Sequence, residues 1–374
     1  MQTQEILDAI DPCITAVAII DLDKLASNYR KINSELAKDT VVGAVVKANS
    51  YGFGAIQVSK KLYREGCRNF FVATPSEGVE IRQVLNNDAN IYSLIGILHG
   101  CEEMYEKYRI IPVLNNMYQV NLWLDYSKRI GKKLPAVIQV DTGMSRNGLS
   151  TKDMEKYHEK ITDGIDISFI LSHLACADEV ENPQNRLQLD SFKKTLKMFG
   201  ENVKASFSAT NGILLGEEYH FDVVRPGKAL YGFSIRKDKV DTFEPVMDVY
   251  ARIIQISDLP QGCTIGYGAT FATQKPLRTV TVGMGYADGF MRKFSGFGHG
   301  FINGHKVPII GRVSMDYVVF DATDIYESEI KIGNWVSFTR DPDYTLERWA
   351  LEMDTLPHEV SCRFGPRVKR VYVG

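Results

Sequence analysis

The chain has 374 residues, with 44 lysines and arginines against 46 aspartates and glutamates and a formal net charge of −2. Its length exceeds what one hydrophobic core usually organises, so we expect two domains. The balanced charge, without a long run of one sign, disfavours nucleic-acid binding and a polybasic membrane patch and favours a small-molecule partner. No stretch approaches the roughly twenty apolar residues of a membrane-spanning helix, which predicts a cytoplasmic protein, although a domain cut from a membrane protein would look the same. The six cysteines include no C-x-x-C pair, so we expect no metal site and reduced, mostly buried thiols.

Apolar runs alternate with amphipathic stretches of helical length through the first part of the chain. An extended segment at Thr15–Asp21 and a helical run at Leu22–Leu36 come first. Eight strand candidates follow, at Val41–Lys47, Phe70–Thr74, Ile91–Ile95, Ile111–Leu114, Ala136–Asp141, Ile167–His173, Ala205–Ser208 and Phe221–Arg225. The helical candidates between them include Ala55–Glu65, Ser76–Leu85, Met117–Ile130 and Gln184–Phe199. Strands that helices cover on both faces have continuous apolar runs, so the pattern predicts a parallel (β/α)8 TIM-type barrel.

The remainder of the chain is rich in strand candidates and turn residues. After about Asp238 the apolar runs lie at Met247–Ile256, Thr279–Val282, Lys306–Gly311 and Tyr317–Asp321. We therefore predict an N-terminal barrel over residues 1–238 and a C-terminal all-β domain over 239–374. The boundary near 235–243 is soft, because Thr15–Asp21 could pair with the C-terminal sheet.

One lysine stands where barrels hold their chemistry. VVGAVVKAN places Lys47 at the C-terminal end of an apolar run, and active sites of barrels lie at that end. A lysine in apolar surroundings favours its neutral amine, which can form a Schiff base or transfer protons. Taken alone, a lysine that extends from a strand end into solvent is the commoner case.

The full string VVKANSYGFG resembles the lysine motif of the alanine racemase family, whose members use pyridoxal phosphate (PLP). The resemblance implies that Lys47 binds PLP covalently and that Tyr51 reaches its phosphate. Phe53 stands where many members have histidine. The same family's motifs recur in the same order through nearly the whole chain.

Further motifs of the family supply a cofactor pocket. VVRPGKALYG implies Arg225 at the pyridine nitrogen, with Gly227 and Lys228 offering backbone donors to phosphate. SHLA implies that His173 packs against the cofactor ring. From the residues alone, a rim salt bridge is as plausible for the arginine, and a structural role is commoner for the histidine. SATNGI matches the segment that contributes Asn211 and Gly212, although the family often has serine at the second position.

Racemisation through a planar carbanion is fastest when two groups serve opposite faces. IGYGATF resembles the family motif whose tyrosine is the second acid/base group, which implies Tyr267. A phenol is a poor base at neutral pH, so positive charge must lie nearby. Arg146 of DTGMSRNG matches the family arginine that lies close to cofactor and substrate. Gln139 replaces a lysine that is often carbamylated, so we expect no carbamate and a softer restraint on Arg146 through the amide.

Two signatures of the C-terminal part complete the resemblance. VGMGYADGF implies Tyr286 at the substrate entrance, and GRVSMDYVVFD implies Met315 and Asp316 beside the substrate carboxylate. In the family these residues reach the neighbouring subunit, which implies a homodimer with shared active sites. In CRFGPRVKRVY, Pro366 replaces a bulky tyrosine, so serine is a second candidate substrate beside alanine.

The resemblance as a whole implies an alanine racemase that supplies D-alanine for peptidoglycan. The alternative is a serine or broad-specificity racemase, including the catalytic domain of a resistance-type serine/alanine racemase. A barrel decarboxylase would place a cysteine motif and acidic substrate-binding signatures in the C-terminal part, where GYGATF and SMDYVV stand instead. A PLP-binding barrel without turnover would lack the second domain, and a sugar- or nucleotide-binding barrel without PLP would be colourless.

Overall fold

The computed structural model describes residues 3–200, 202–233, 243–340 and 344–374. Its contacts divide the chain into two compact units, which we call the barrel unit (residues 24–244) and the β unit (residues 1–23 and 245–374). The sequence expectation had begun the barrel at residue 1 and ended it at 238. The predicted boundary region 235–243 lies almost wholly in 234–242, outside the described residues.

The strands alternate with helices in the first part of the chain and then follow one another. In chain order they are β1 (Ala16–Asp21), β2 (Val41–Val45), β3 (Asn69–Val72), β4 (Asn90–Ser93), β5 (Ile110–Leu114), β6 (Pro135–Gln139), β7 (Asp166–Leu171), β8 (Ala205–Ser206), β9 (Val223–Val224), β10 (Met247–Leu259), β11 (Thr264–Ile265), β12 (Phe271–Ala272), β13 (Leu277–Val282), β14 (His299–Ile302), β15 (His305–Pro308), β16 (Val318–Asp321), β17 (Trp335–Ser337) and β18 (Lys369–Val373). The helices are α1 (Thr3–Asp8), α2 (Leu22–Ser34), α3 (Lys47–Tyr51), α4 (Ala55–Arg64), α5 (Pro75–Arg82), α6 (Glu102–Lys107), α7 (Met117–Arg129), α8 (Thr151–Gly164), α9 (Pro183–Leu196), α10 (Thr210–Ile213), α11 (Leu346–Met353) and α12 (Pro357–Cys362).

The barrel unit is the predicted parallel barrel. Its eight strands pair in the order β8-β7-β6-β5-β4-β3-β2-β9, and every ladder in this sheet is parallel. The barrel is nearly closed, because the N–H of Arg225 donates to the carbonyl of Ser208 at 2.8 Å across the gap between the last two strands. Each predicted strand candidate overlaps one of these strands, and several of them continue past the observed strand end into a loop.

Bulky side chains from successive strands fill the barrel interior, as close-packed parallel barrels require. Phe71 of β3 stacks on Tyr92 of β4 with ring centroids 4.7 Å apart, and Tyr92 meets Phe169 of β7 edge-on at 5.1 Å. The helices cover the outer face with apolar stripes at helical spacing, for example Val58 and Leu62 of α4, which are both fully buried. The barrel interior is therefore a packed core. An active site is expected in the loops at the carboxyl ends of the strands.

In the β unit, β1 lies inside the sheet that the C-terminal strands form. It pairs antiparallel with β10 and parallel with β18, in a sheet of order β15-β14-β17-β10-β1-β18 with β13 and β16 attached. Val17, Ala18 and Ile20 are fully buried, because sheet neighbours and packed layers surround this apolar run. Long-range pairing thus assigns the first 23 residues to the C-terminal unit. The expected range of 1–238 for the barrel had allowed for this pairing of residues 15–21 with the C-terminal sheet.

Helices also belong to the β unit, since α11 buries Trp349 against Phe290 and Phe338.

Among the cysteines, Cys67 is buried, whereas Cys13 and Cys362 are exposed. The expectation of mostly buried thiols was wrong, because these two positions lie in a turn and at a helix end. Over the described ranges, none of the helices combines the length and the apolar character needed to cross a membrane.

Candidate active site

The turn that contains Lys47 has an unusual backbone conformation. Lys47 opens α3 two residues after β2 ends at Val45, at the carboxyl end of the barrel strands. Residues 48–50 have φ values of 53°, 51° and 53°, and Tyr51 follows at 57°. A left-handed conformation costs roughly 1–2 kcal/mol for each non-glycine residue. Contacts from outside the turn must therefore stabilise it.

Glu77 provides such contacts from α5. One carboxylate oxygen accepts the N–H of Ala48 at 2.7 Å, and the other accepts the N–H groups of Ala73 at 2.7 Å and Thr74 at 3.2 Å. Thr74 and Glu77 also form a capping box at the start of α5. Glu77 is absent from the sequence-predicted site, although the capping-box string TPSE was the signal that could have drawn attention to it.

Aromatic packing fixes the position of Tyr51. Its ring lies 4.9 Å from that of Tyr231, and a Cβ added to Gly227 would collide with its hydroxyl group. Tyr231 donates its own hydroxyl hydrogen to the carbonyl of Val45 at 2.9 Å. Phe53, which replaces the family's histidine, is fully buried and stacks on Tyr231 at 4.8 Å. The phenylalanine therefore supports the wall behind Tyr51 by packing.

Arg225 is a buried cation at the end of β9. It is 4% exposed, and its guanidinium donates to the carbonyls of Ser172 at 2.6 Å and Phe207 at 3.1 Å, to the hydroxyl of Ser206, and to Nδ1 of His173 at 3.4 Å. Burial lowers the pKa of Arg225 to about 9, so the group remains charged at neutral pH. All of these partners are neutral, which leaves a positive charge that a ligand could offset.

His173 lies beside this cation, two residues after β7 ends. Its pKa is lowered to about 3, first by burial and then by the positive charges of Arg225, Arg146 and Lys47. His173 and these three charged residues were all predicted for the site. The charged side chains lie within electrostatic range of the imidazole. The imidazole is neutral at physiological pH, so it can pack on a ring without adding charge.

Gln188 of α9 anchors the segment that contains His173. Its side-chain amide donates to the carbonyl of His173 at 3.0 Å and to the hydroxyl of Thr142 at 3.3 Å, and its oxygen accepts the N–H of Ala175 at 2.9 Å. The hydroxyls of Thr142 and Ser172 lie 2.8 Å apart. Gln188 is fully buried and was not predicted, because a lone glutamine in a helix gives no sequence signal.

The loop that contains Arg146 is organised by its own backbone. Asp141 accepts the N–H groups of residues 143, 144 and 145 at 2.9, 3.0 and 3.1 Å. Gln139 donates to the carbonyl of Asn147 at 3.3 Å. It thus restrains the loop next to the exposed Arg146, whereas the expectation had its amide oxygen accept from the guanidinium. Gln139 is 7% exposed, and its bond to a backbone carbonyl holds the amide against the loop.

The segment after β8 differs from expectation at two positions. A Cβ on Gly212 would lie 2.5 Å from the hydroxyl of Ser208 and 2.9 Å from Leu174, so serine does not fit there without a shift. The N–H of Gly227, expected to bind phosphate, donates to the hydroxyl of Thr210 at 3.0 Å. In contrast, Oδ1 of Asn211 is buried and has no hydrogen-bond partner within the described part of the chain.

In the β unit, Tyr267 begins a 3-10 turn and is 72% exposed. The side chain of Arg312 lies along this turn, because a Cβ added to Gly268 would be 2.8 Å from Nη1 of the arginine. A cation that the sequence reading did not single out therefore lies beside the turn of Tyr267. Arg312 belongs to the string GRVSMDY, in which the family resemblance implies roles for Met315 and Asp316.

Tyr286 and Met315 lie on two loops that hydrogen bonds join. The N–H of Tyr286 donates to the carbonyl of Ser314 at 3.1 Å, and the N–H of Ala287 donates to that of Met315 at 3.0 Å. The backbones approach so closely that any side chain on Gly285 would strike these carbonyls. Both predicted side chains remain exposed, at 44% and 52%.

Arg367 links three of the sequence signatures. It forms a bidentate pair with Asp288 at 2.7 and 2.8 Å and a third bond to Asp316 at 2.8 Å. Asp316 was expected beside the substrate carboxylate, and this ion pair neutralises a charge that would otherwise repel it. The exposed Pro366 precedes the arginine directly. Arg367 was not predicted, because its two partners are distant in sequence.

The predicted residues thus form two groups, one in each unit. The barrel unit holds the residues that the sequence predicts to bind the cofactor, together with Arg146. They are Lys47, Tyr51, Arg146, His173, Asn211, Gly212, Arg225, Gly227 and Lys228. The β unit holds Tyr267, Tyr286, Met315 and Asp316. Chemically, the barrel group offers the half-buried amine of Lys47, the guanidinium of Arg225, whose hydrogen-bond partners among the described residues are neutral, and the neutral imidazole of His173. This combination suits an anionic aromatic ligand.

Comparisons with known proteins agree on one family. The model of the alanine racemase N-terminal domain matches residues 20–235, and that of the C-terminal domain matches residues 246–372. An alanine racemase of Brucella ovis is 40% identical over 98% of this chain and 96% of its own, and one of Rickettsia conorii is 41% identical over 95% and 98%. A crystal structure of alanine racemase from Bartonella henselae with covalently bound pyridoxal phosphate superposes with a TM-score of 0.90 at 39% identity, covering 96% of this chain and 99% of that one.

Proposed function

The chain belongs to the alanine racemase family, and we propose that it interconverts L- and D-alanine with bound PLP, using Lys47 and Tyr267 as opposed acid/base groups. The observation on which this rests most is the arrangement around Arg225. The buried cation of Arg225, the neutral imidazole of His173 and the amine of Lys47 lie at the carboxyl ends of the barrel strands β9, β7 and β2. An ion pair does not explain the burial of this cation, since the groups that Arg225 bonds within the described residues are all neutral.

The residues of the barrel fit the cofactor on three independent features. The Bartonella relative carries PLP covalently, and Lys47 supplies the amine that such a linkage needs here. The side-chain amide of Asn211 has a buried oxygen without a hydrogen-bond partner among the described residues, and a turn of that amide by about 180° would present its NH2 group to an anionic ligand. Gly227 leaves room for the hydroxyl of Tyr51, where a side chain would displace it. These features support a site that binds a flat, anionic group.

Individual roles follow from the same contacts. Lys47 would hold PLP, Tyr51 would donate its hydroxyl hydrogen to the phosphate, and His173 would pack against the ring. Backbone donors for phosphate would come from Lys228 and Gly212, since the N–H of Gly227 already bonds Thr210. When bound, PLP withdraws electrons from an attached amino acid and makes its α-hydrogen acidic.

Arg225 restricts the chemistry to racemisation. Its pKa, lowered by burial to about 9, still leaves it charged at neutral pH. It can hold a ring nitrogen by hydrogen bonding but does not readily yield its proton. Deeper carbanion chemistry is thereby disfavoured, whereas removal and return of one proton needs no stronger electron sink.

The two proton transfers would use different units of the chain. The amine of Lys47 would take or return the α-hydrogen on one face of the substrate, and the phenol of Tyr267 would do so on the other. Arg146, with Met315 and Asp316, would hold the substrate carboxylate, and Tyr286 would line the entrance. The exposure of Tyr267, Tyr286 and Met315 supports their use at a surface that another chain covers.

The test of function is chiral analysis of each L-amino acid after incubation with purified protein, with and without PLP. We expect D-alanine to form only when PLP is bound, together with absorbance at about 420 nm. Lys47→Ala should lose both signals, while Lys61→Ala, on the outer helix α4, should keep them. A colourless wild-type protein, or colour that survives Lys47→Ala, would contradict the proposal.

The proposal includes a homodimer in which Tyr267 of each chain completes the site around the partner's Lys47. Mixing inactive Lys47→Ala and Tyr267→Phe chains tests it. Shared sites would give one intact site in each mixed dimer and restore about a quarter of the wild-type rate after random exchange. If each site belonged to a single chain, the mixture would stay inactive.

Serine is the second candidate substrate, and Pro366 is the observation that favours it. Proline lacks the bulk and the hydroxyl of the family's tyrosine, so a larger substrate side chain could be admitted. Discrimination by one hydroxyl in such a pocket is weak, about a hundredfold at best. We expect a higher catalytic efficiency on L-alanine than on L-serine, and the reverse order would identify a serine racemase.

A supply of D-alanine for peptidoglycan is the physiological role that we propose. The support is membership of a family whose relatives here are bacterial. Deletion of the gene in its host, when no second racemase is present, should make growth depend on added D-alanine. Growth without it would assign the enzyme another role.

A further inference from the structure

The carboxylate of Glu77 joins two strand ends of the barrel. One oxygen accepts the N–H of Ala48, directly after Lys47, and the other accepts those of Ala73 and Thr74, directly after β3. We propose that Glu77 is a positioning residue, which fixes the left-handed turn of Lys47 and so sets the direction of its amine toward the cofactor. This inference rests on the role of Lys47 under the proposed function.

The turn requires a restraint of this kind. Four consecutive residues, 48–51, have positive φ values, although only glycine adopts that conformation without strain. Within the turn, the N–H of Ser50 donates to the carbonyl of Val46 at 2.9 Å, and that of Gly52 to Ala48 at 2.9 Å. These bonds form in the turn itself. The bond from Ala48 to Glu77 ties the peptide that follows Lys47 to another element, α5.

A capping role alone does not account for the geometry. A capping box consists of two hydrogen bonds, and both are present. The N–H of Thr74 donates to the Glu77 carboxylate at 3.2 Å, and the N–H of Glu77 donates to the Thr74 hydroxyl at 3.4 Å. The bond to Ala48 is shorter, at 2.7 Å, and is not part of that capping box. A charged acceptor makes it stronger than a neutral bond would be. The oxygen on that side of the carboxylate therefore serves the lysine turn.

These two functions can be separated by substitution. Glu77→Gln keeps the size of the side chain but provides only one accepting oxygen. Ala73 and Thr74 offer two donors against the single donor of Ala48, so the oxygen should stay with that pair and Ala48 should lose its acceptor. Thr74→Ala removes the other half of the capping box and leaves both carboxylate oxygens in place. It is the matched control, because it disturbs α5 without touching the turn of Lys47.

The first measurement is hydrogen–deuterium exchange of the full chain without PLP. We expect faster exchange over residues 44–54 in Glu77→Gln than in wild type, and no such change in Thr74→Ala. The second is the PLP concentration that half-saturates the visible absorbance of the lysine-bound cofactor. It should rise about tenfold in Glu77→Gln, the effect of one lost bond to a charged acceptor, and little in Thr74→Ala.

Kinetics provide a third readout. With PLP saturating, kcat for alanine should fall in Glu77→Gln with little change in KM, because a misdirected amine affects proton transfer more than substrate binding. Equal exchange and equal half-saturation in the two variants would overturn the positioning role, whether or not the wild type racemises alanine. A wild type that binds no PLP would instead overturn the proposed function, and the exchange comparison would still decide whether Glu77 restrains the turn.

Discussion

Replacing His173 by glutamine should remove an acid-dependent loss of stability. Its pKa is lowered to about 3 by burial and by the charges of Arg225, Arg146 and Lys47, against about 6.5 for a histidine in an unfolded chain. Between these two values the unfolded chain binds a proton that the folded chain does not bind. Folding stability therefore falls as pH falls through this window, and the loss between pH 7 and pH 5 is about 2 kcal/mol for this one residue.

Urea unfolding of the protein without PLP, at both pH values, measures this loss. Wild type should lose about 2 kcal/mol more than His173→Gln, a comparison that cancels the contribution of His299, whose pKa burial also lowers, to about 4. In protein labelled at histidine ring carbons, the NMR signal missing from the variant should not titrate above about pH 4. Titration of that signal near pH 6.5, or equal losses in both proteins, would refute the electrostatic account of the site.

Two further substitutions test the packing and the ion pairs. Gly212→Ser introduces the hydroxyl that the family often has, but it should destabilise the protein by about 1–3 kcal/mol. The reason is that its Cβ would lie 2.5 Å from the hydroxyl of Ser208. Unchanged thermal unfolding would show that the segment after β8 can shift to accept the side chain. Arg367→Met should cost about 2 kcal/mol, since among the described residues it leaves the side chain of Asp288, 2% exposed, with one backbone donor, the N–H of Gly285. Arg363→Met, which removes a surface pair, should cost far less, and equal losses in thermal unfolding would argue against the linking role of Arg367.

The architecture was predictable where the chain encodes it locally. Continuous apolar runs that alternate with amphipathic helices identified the barrel, because strands covered on both faces need no polar alternation. The local sequence did not decide to which of the two units β1 belongs. An apolar strand at residues 16–21 suits either unit equally, and its partners, β10 and β18, lie more than 200 residues away.

The residues of the candidate site differ in the same respect: some are marked by a local string, and others are identified only by contacts in the folded chain. Lys47, Arg225 and Tyr267 could be predicted because each stands in a distinctive string. The string TPSE marks Glu77 only as a helix cap, and nothing in the sequence marks Gln188, since their contacts near the site are with backbone groups that only the folded chain brings near. Gln139 shows the limit clearly: its position was predicted, but its partner is a backbone carbonyl of the loop.

Exchange of the α-hydrogen in heavy water tests the central claim of two opposed acid/base groups most directly. With PLP bound, wild type should exchange the α-hydrogen of both L- and D-alanine and interconvert them. Tyr267→Phe should abolish interconversion yet still exchange the hydrogen of one enantiomer, the one whose face Lys47 serves. Interconversion by Tyr267→Phe at close to the wild-type rate would contradict the claim.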